Sequence, residues 1–252
     1  MVKINSNLNC QNLPNLTIGR DGAEGILFNQ NRLIICGGFN SPQSLFVLSE
    51  CEELIGGSWT AIASMNQPRC LFASSPITFR GNEGFIVSGG KGSILQLLSS
   101  SEIFDGSIWN SVADIPEQVT GHCMVNIDTG ITAMAIGGQT LDYLGISATY
   151  FYDSVADSWS RGPDLIVPRT YHSCAVFNWF NSTSGLQESY VVVAGGENKA
   201  SGFTVGLDST EFWKVGDPQG FVLGQNLSIP VAAARLVPVD DGLILVGGVR
   251  LY

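Results

Sequence analysis

The stretch AMAIGG (133–138), continued by YFYDSVADSW (150–159) and PRTYHSC (168–174), decides the fold, because its parts recur along the chain. An apolar run closed by Gly-Gly appears at LIICGG (33–38), FIVSGG (85–90), AMAIGG (133–138), VVVAGG (191–196) and LILVGG (243–248). The first glycines lie 52, 48, 58 and 52 residues apart. Trp59, Trp109 and Trp159 stand 50 apart, twice over. Two independent markers on one period identify an internal repeat rather than a merely Gly-rich composition.

Within a period the order is fixed. Two short apolar stretches flank a turn before the doublet, as CMVNI (123–127) and ITAMAI (131–136) do around Asp128-Thr129-Gly130. Polar loop residues follow the doublet, then a stretch ending in a bulky apolar residue, then a turn and a Trp. Leu54, Phe104, Tyr152 and Phe212 fill the bulky slot; Trp59, Trp109, Trp159 and Phe221 fill the Trp slot. Short β-branched or aromatic runs bounded by Gly, Asp and Asn read as strands of an all-β protein. Four strands per unit make one antiparallel blade of a β-propeller, a sheet that buries its faces only by stacking on its neighbours. The doublet supplies φ > 0 and close backbone approach where the inner strand pair ends.

These residues carry a resemblance. The doublet ending the second strand, the Tyr/Phe-Asp before a turn and the Trp beyond it resemble the kelch repeat, over about residues 15–252, in units 15–65, 66–115, 116–165, 166–224 and 225–252. WD-repeat propellers are less similar, since no Trp-Asp dipeptide closes a unit. The resemblance implies a kelch-type propeller of six or seven blades, whereas five repeat units are visible and the last stops after two strands. Asn12-Leu13-Pro14 resembles Asp114-Ile115-Pro116, which makes residues 3–9 a candidate outer strand for the last blade. The chain is then either a five-bladed ring closed by its N-terminal strand or a piece of a larger kelch protein.

Composition narrows the partners. With 12 Lys+Arg against 22 Asp+Glu, the formal charge of −10 repels nucleic acid and anionic membranes unless a basic patch intervenes, and the basic residues are scattered. No apolar run approaches the ~20 residues of a membrane span, and the opening residues turn polar at once. Cys10, Cys36, Cys51, Cys70, Cys123 and Cys174 form no zinc-ligand spacing and are expected to be reduced and buried. The sequons at Asn15, Asn181 and Asn226 match the number that composition alone yields, so they say nothing of secretion. The expected location is cytoplasmic, or extracellular if a secretory leader lies outside this sequence.

Catalytic patterns are sparse. His122 and His172 share one slot of successive units, GHCMV and YHSCAV, and a channel-facing pair is the sharp reading. Kelch propellers of the galactose-oxidase type bind copper, but through tyrosine ligands, one crosslinked to a cysteine; Tyr143, Tyr150, Tyr152 and Tyr171 hold ordinary repeat or loop positions. Two histidines fall below the usual ligand count for zinc or copper. Gly-x-Ser-x-Gly is absent, and Gly89-Gly90-Lys91-Gly92 precedes a strand rather than a phosphate-binding helix. The adjacent carboxylates Glu52-Glu53 and Asp240-Asp241 point to opposite faces of a strand and read as solvated edge or turn residues. No catalytic residue, cofactor or metal is therefore expected.

Arg20, Arg69 and Arg169 each stand just before the inner strand of a unit; the third unit has Val119 near that place, and Arg235 is off register. In kelch domains that bind peptides, arginines at the matching place line one channel mouth and grip acidic side chains. The resemblance thus implies a partner-binding set of Arg20, Arg69 and Arg169, with His122 and His172 beside them. The alternative is that these arginines bond carbonyls between blades. Phe39-Asn40, Lys91, Gln139-Thr140, Glu197-Asn198 and Val249-Arg250 begin the loops after the doublets, where recognition usually sits. The insert Asn178 to Ser189, with Trp179 and Phe180, is a further contact candidate, or strand packing that runs long.

The resemblance implies a non-catalytic interaction domain whose blade loops meet a protein or peptide, with acidic side chains on the partner. In the kelch family this often means substrate recognition for a ubiquitin ligase, with a BTB or F-box segment contacting the ligase. The alternative is a piece of a secreted carbohydrate-active enzyme of the galactose-oxidase type.

Overall fold

The computed structural model describes residues 2–4, 10–41, 44–93, 96–182, 185–200, 203–239 and 242–250. An N-terminal hairpin of β1 (Val2–Ile4) and β2 (Cys10–Asn12) precedes the first blade. That blade contains β3 (Glu24–Phe28) and β4 (Arg32–Cys36), a small excursion of β5 (Phe39–Ser41) and β6 (Ser44–Val47), then β7 (Cys51–Ile55) and β8 (Ser58–Ile62). The second has β9 (Ala73–Phe79), β10 (Asn82–Ser88), β11 (Ser101–Phe104) and β12 (Trp109–Val112). The third has β13 (Cys123–Asn126), β14 (Thr132–Ile136), β15 (Thr149–Asp153) and β16 (Ser158–Arg161). The fourth begins with β17 (Ser173–Asn181) and β18 (Leu186–Ala194), followed by an excursion of β19 (Glu197–Ala200) and β20 (Phe203–Gly206). It ends with β21 (Thr210–Lys214) and β22 (Val222–Leu223), and β23 (Val231–Val239) pairs with β24 (Gly242–Arg250) in the fifth.

Each of the first four blades is an antiparallel meander, as the repeat requires. The innermost strands pack in sequence, β3 on β9, β9 on β13, β13 on β17 and β17 on β23. A collar of backbone bonds joins them around the axis. Leu71 N–H donates to Gly22 O at 2.8 Å, Gly121 to Leu71 at 3.0 Å, Tyr171 to Gly121 at 2.8 Å and Ala233 to Tyr171 at 2.8 Å. All five collar residues are left-handed, with φ of +62° at Gly22, +53° at Leu71, +64° at Gly121, +51° at Tyr171 and +54° at Ala233. Between the fifth and first units Arg235 Nη2 meets Glu24 Oε1 at 2.6 Å.

The doublets explain themselves here. The second glycine donates to the carbonyl that opens the next unit: Gly38 to Arg69 at 2.9 Å, and Gly90 to Val119, Gly138 to Arg169 and Gly196 to Val231, each at 2.8 Å. The first glycine leaves room for that same carbonyl. At Gly137, φ is +58°, and a Cβ would lie 2.8 Å from both Arg169 O and His172 Cε1.

Three buried clusters fill the gaps between consecutive blades. The first joins Ile26, Phe28 and Ile34 to Phe85, Phe104 and Trp109. The next sets Ile77, Ile86 and Ile103 against Ala133, Ala135 and Tyr152. The last sets Met134 and Ile136 against Val191, Val193, Trp213 and Phe221. Burying each such side chain contributes roughly 1.5–3 kcal/mol, so the blade interfaces dominate stability. The bulky slot of the fourth blade is displaced by one residue from its expected place: Trp213 is buried, whereas Phe212 is 36% exposed. Strand neighbours face opposite ways, and Glu211 keeps the register of Glu52 and Glu102, which puts the inward position at 213.

The N-terminal hairpin carries the register of a blade's outer strand pair. Val2, Lys3 and Ile4 face Asn12, Gln11 and Cys10, just as Glu52, Glu53 and Leu54 face Ala61, Thr60 and Trp59. The indole of Trp59 donates to Pro14 O at 3.0 Å, the slot that Ala63 O fills for Trp109 at 2.9 Å and Ala113 O for Trp159 at 2.8 Å. Of the proposed outer strand at residues 3–9, Lys3 and Ile4 pair with β2, and 5–9 lie outside the described residues.

The cysteines correct an expectation. Cys36–Cys51 bridges register partners of β4 and β7, and Cys123–Cys174 ties the inner strands of the third and fourth blades. Units stacked at a fixed period bring residues 51 apart into contact, which linear spacing does not display. Cys70 is free and buried, and burial raises its thiol to about 11.

Candidate functional site

The arginines implied by the resemblance are placed inside the blades. The side chains of Arg20, Arg69 and Arg169 are fully buried, and each meets a carboxylate of its own unit: Glu52 at 2.6 Å, Glu102 at 2.7 Å and Glu211 at 2.6 Å. Arg69 also donates to Gly89 O (2.8 Å), Ser100 O (3.0 Å) and Ser100 Oγ (3.1 Å); Arg169 repeats this with Gly195 and Ser209. The glutamates in turn accept backbone N–H groups from the segment arriving from the preceding blade. Asn66 and Gln67 bond Glu102, and Ile166 and Val167 bond Glu211. Burial pulls the guanidinium pKa of Arg69 and Arg169 down, and the paired carboxylate opposes it.

The third unit supplies an internal control. Where Arg is replaced by Val119, Glu is replaced too, by Tyr150, whose hydroxyl donates to Glu117 Oε1 at 2.7 Å. Both members change together, so the slot answers to its internal partner. The rim assignment is therefore corrected: these arginines tie a blade to its entering segment and offer no free guanidinium to a ligand.

One neighbouring expectation changes with them. Glu52 is 1% exposed and Glu53 6% exposed; Glu53 takes a two-bond clamp from Arg32, at 2.7 Å each, which holds its carboxyl below the usual range. They are structural ion pairs, not solvated edge residues, and the companion pair Asp240-Asp241 lies outside the described residues. His122 and His172 are buried beside the channel, and both line the cavity of about 220 Å³ at its entrance. Burial lowers both imidazoles to about 3, so they are neutral in ordinary buffers. His122 Nε2 lies 3.0 Å from Ser88 Oγ, and both rings pack on the first glycine of the preceding unit's doublet. Among the described residues no group of three or more His, Cys, Asp or Glu is arranged to hold a metal.

Two mouths remain. At one end the turns between first and second strands enclose a cavity of about 410 Å³, lined by Leu27, Asn29, Gln30, Thr78, Glu83 and Asp128 among others. Its charges are acidic, and Asp128 Oδ1 is taken up by the N–H groups of Gly130, Ile131 and Thr132 at 2.8–3.0 Å. The insert Asn178 to Ser189 extends the β17–β18 hairpin at this same end, with Trp179 and Phe180 exposed.

The other mouth is built by the loops after the doublets. Bridges of Lys91 with Cys70, Gln139 with Thr120 and Glu197 with Thr170 anchor the first residue of each loop beside the collar. The loops converge on a cavity of about 300 Å³ lined by Lys91, Gln139, Tyr143, Tyr171, Glu197, Asn198, Lys199 and Thr204. Tyr171 also lines the channel entrance, a cavity of about 220 Å³ that reaches Arg235 and Glu24. Lys91 Nζ lies 5.9 Å and Lys199 Nζ 5.8 Å from the centroid of the Tyr143 ring. Tyr143 itself is 60% exposed and left-handed at φ +60°. An exposed aromatic in that region is held at a cost of about 1 kcal/mol or more, here by the Thr140–Tyr143 turn and a Thr140 hydroxyl donated to Asp142. Burial raises the Glu197 carboxyl and the Tyr171 phenol. Leu141, Leu144, Phe203 and Val205 are exposed around the cavity loops.

Of the loop-start residues singled out in the sequence, Lys91, Gln139, Glu197 and Asn198 meet in this cavity, and Phe39, Asn40, Thr140, Val249 and Arg250 are not among its lining. Tyr143 and Lys199 were missed as site residues. The signal available was position alone, since both lie within a few residues of a doublet.

No protein-family model matches the chain. Beta-scruin of Limulus polyphemus is 25% identical over 177 residues, which is 66% of this chain and 18% of that protein. The chain thus spans under a fifth of the length of that relative. The solved structure of YjhT superposes with a TM-score of 0.78 at 14% identity, covering 98% of this chain and 82% of that one. The fold is an all-β, kelch-type propeller of four-stranded antiparallel blades.

Proposed function

We propose that this propeller is a non-catalytic recognition domain that binds a protein or peptide at the mouth formed by the post-doublet loops. The observation that carries this is the convergence of loops from the second, third and fourth blades on one cavity edged by exposed apolar tips. Surface apolar groups gathered at a polar-lined mouth are what a partner buries, and variable loops on a rigid scaffold are where recognition resides. Delivery of the bound partner to a ubiquitin ligase would be a use of this mouth and requires a second contact with the ligase.

The two disulfides support the extracellular alternative over the cytoplasmic one, because structural disulfides persist in oxidising compartments. The test is a photo-crosslinking residue placed at Leu141 on the loop mouth or at Gln30 on the opposite mouth. Crosslinking of one partner from position 141 but not from 30 supports the reading; the reverse pattern overturns it.

A further inference from the structure

We infer that Asn15 and Asn226 are N-glycosylation sites, each carrying an oligosaccharide on its side-chain amide. The inference rests on the extracellular reading of the two disulfides and is independent of the loop mouth. The number of sequons is what composition yields; their placement is what the fold adds. Where the chain leaves an outer strand for the next blade, an exposed polar residue precedes a buried or half-buried apolar one: Ser64-Met65, Asp114-Ile115, Asp164-Leu165 and Asn226-Leu227. The N–H of the apolar residue bonds one point of the repeat each time. Met65 donates to Ser49 O, Ile115 to Ser99 O and Leu165 to Ser147 O at 2.9 Å, and Leu227 to Asp208 O at 2.7 Å. Asn15-Leu16 holds this slot ahead of the first blade. Pro14 O takes the Trp59 indole just as Ala63 O and Ala113 O, one residue before Ser64 and Asp114, take those of Trp109 and Trp159. Two of the three sequons thus share one slot, and that slot opens on an exposed residue.

The chemistry is transfer of a glycan from a lipid-linked oligosaccharide diphosphate, in the oxidising secretory compartment where structural disulfides also form. The amide Nδ2 bonds to C1 of the sugar, the C1–O bond to the diphosphate breaks, and the lipid diphosphate leaves while the amide gives up one proton. The acceptor pattern is Asn, any residue but proline, then Ser or Thr. Asn15-Leu16-Thr17 and Asn226-Leu227-Ser228 meet it, and Asn15, Thr17, Asn226 and Ser228 are all exposed. The fold accepts the product. Asn226 Nδ2 donates to Asp208 Oδ1 at 3.4 Å, and a glycosylated amide keeps one N–H for that bond. Thr17 Oγ1 donates to Glu52 Oε2 at 2.6 Å once the first blade has formed, so transfer at Asn15 precedes closure of that blade. Neither asparagine lines the loop-mouth cavity, and Asn226 stands beside Asp208 at the foot of the β19–β20 excursion. A glycan there flanks the mouth without filling it. The third sequon, at Asn181, ends on Thr183, outside the described residues.

The test is made on the native protein, recovered from the cells that make it. An amidase that removes N-glycans, acting in heavy-oxygen water, converts each glycosylated Asn to a labelled Asp. Peptide mapping then reads positions 15 and 226, and alkylation before reduction reads Cys36, Cys51, Cys123 and Cys174. Label at both asparagines, with the four cysteines blocked until reduced, is the expected result. Oxidised cysteines with label at neither position, or at only one, overturn the inference, since the slot treats the two alike, and leave the extracellular reading standing. Free thiols at the four cysteines with no label overturn both. In the same cells Asn226→Gln and Ser228→Ala should each abolish the label at 226 and keep that at 15, and Ser228→Thr should retain both. Label at 226 that survives Ser228→Ala is spontaneous deamidation and overturns the inference.

Discussion

Removing Arg69 should unfold the second blade's attachment to the first, not its ligand chemistry. The side chain makes four hydrogen bonds, to Gly89 O, Ser100 O, Ser100 Oγ and Glu102 Oε1, and is fully buried. Arg69→Val leaves Glu102 buried with only the Asn66 and Gln67 N–H groups as partners. Breaking a buried pair from one side costs about 3–5 kcal/mol. At roughly 2–4 °C per kcal/mol for a domain of this size, the melting temperature should fall by about 6–20 °C. Glu102→Tyr alone should cost a similar amount by stranding the guanidinium. The double variant Arg69→Val/Glu102→Tyr copies the Val119/Tyr150 solution of the third unit and should cost less than the two singles added, with a coupling of about 2 kcal/mol or more. Thermal and urea melts of the four proteins complete the cycle. Additive losses below about 1 kcal/mol each would refute the strut assignment and return the arginines to consideration as ligand-facing groups.

Three further outcomes follow from the same geometry. Cys123→Ser/Cys174→Ser opens a loop of 51 residues and should lower stability by up to about 4 kcal/mol on the chain-entropy estimate, against about 3 for Cys36→Ser/Cys51→Ser with its 15-residue loop; reducing and non-reducing melts measure both. His172 is held near a pKa of about 3 when folded and returns to an ordinary value when unfolded, so the unfolded state gains protons first as pH falls. Stability should therefore drop by about 2 kcal/mol between pH 7 and pH 5 from this residue, and His172→Phe, copying Phe72 in the second unit, should remove that part of the slope. Gly137→Ala adds a Cβ 2.8 Å from Arg169 O at φ +58° and should cost about 2 kcal/mol or more, whereas Ala233→Gly at φ +54° should stabilise by a few tenths to 1 kcal/mol; paired melts decide the sign.

The repeat was legible because it is written in residues with one mechanical task. A glycine that must leave room for the Arg169 carbonyl, or an indole that must reach Ala63 O, tolerates few substitutes, so Gly-Gly and Trp recur in register. The arginines recur for the same reason, and their recurrence pointed to a shared task without saying which. Only the positions of Glu52, Glu102 and Glu211, about 30–40 residues away, distinguish a strut from a rim ligand. Phe212 misled because the fourth blade's outer turn departs from the pattern, and a one-residue slip on a strand reverses the face. The disulfide between Cys123 and Cys174 needed the stacking of blades to become visible. The loop mouth was half legible: doublets mark where loops start, so Lys91, Gln139 and Glu197 stood out. Tyr143 lies inside a loop whose course is set by a local turn, and no period reports where its ring points.

Recognition at the post-doublet mouth is the central claim, and hydrogen exchange with and without the partner captured by crosslinking tests it most directly. Protection confined to 91–93, 96–97, 139–145, 197–200 and 203–206 is the predicted result. Protection at Asn29–Gln30 and Asp128–Gly130 on the opposite mouth, or none at either, would contradict it.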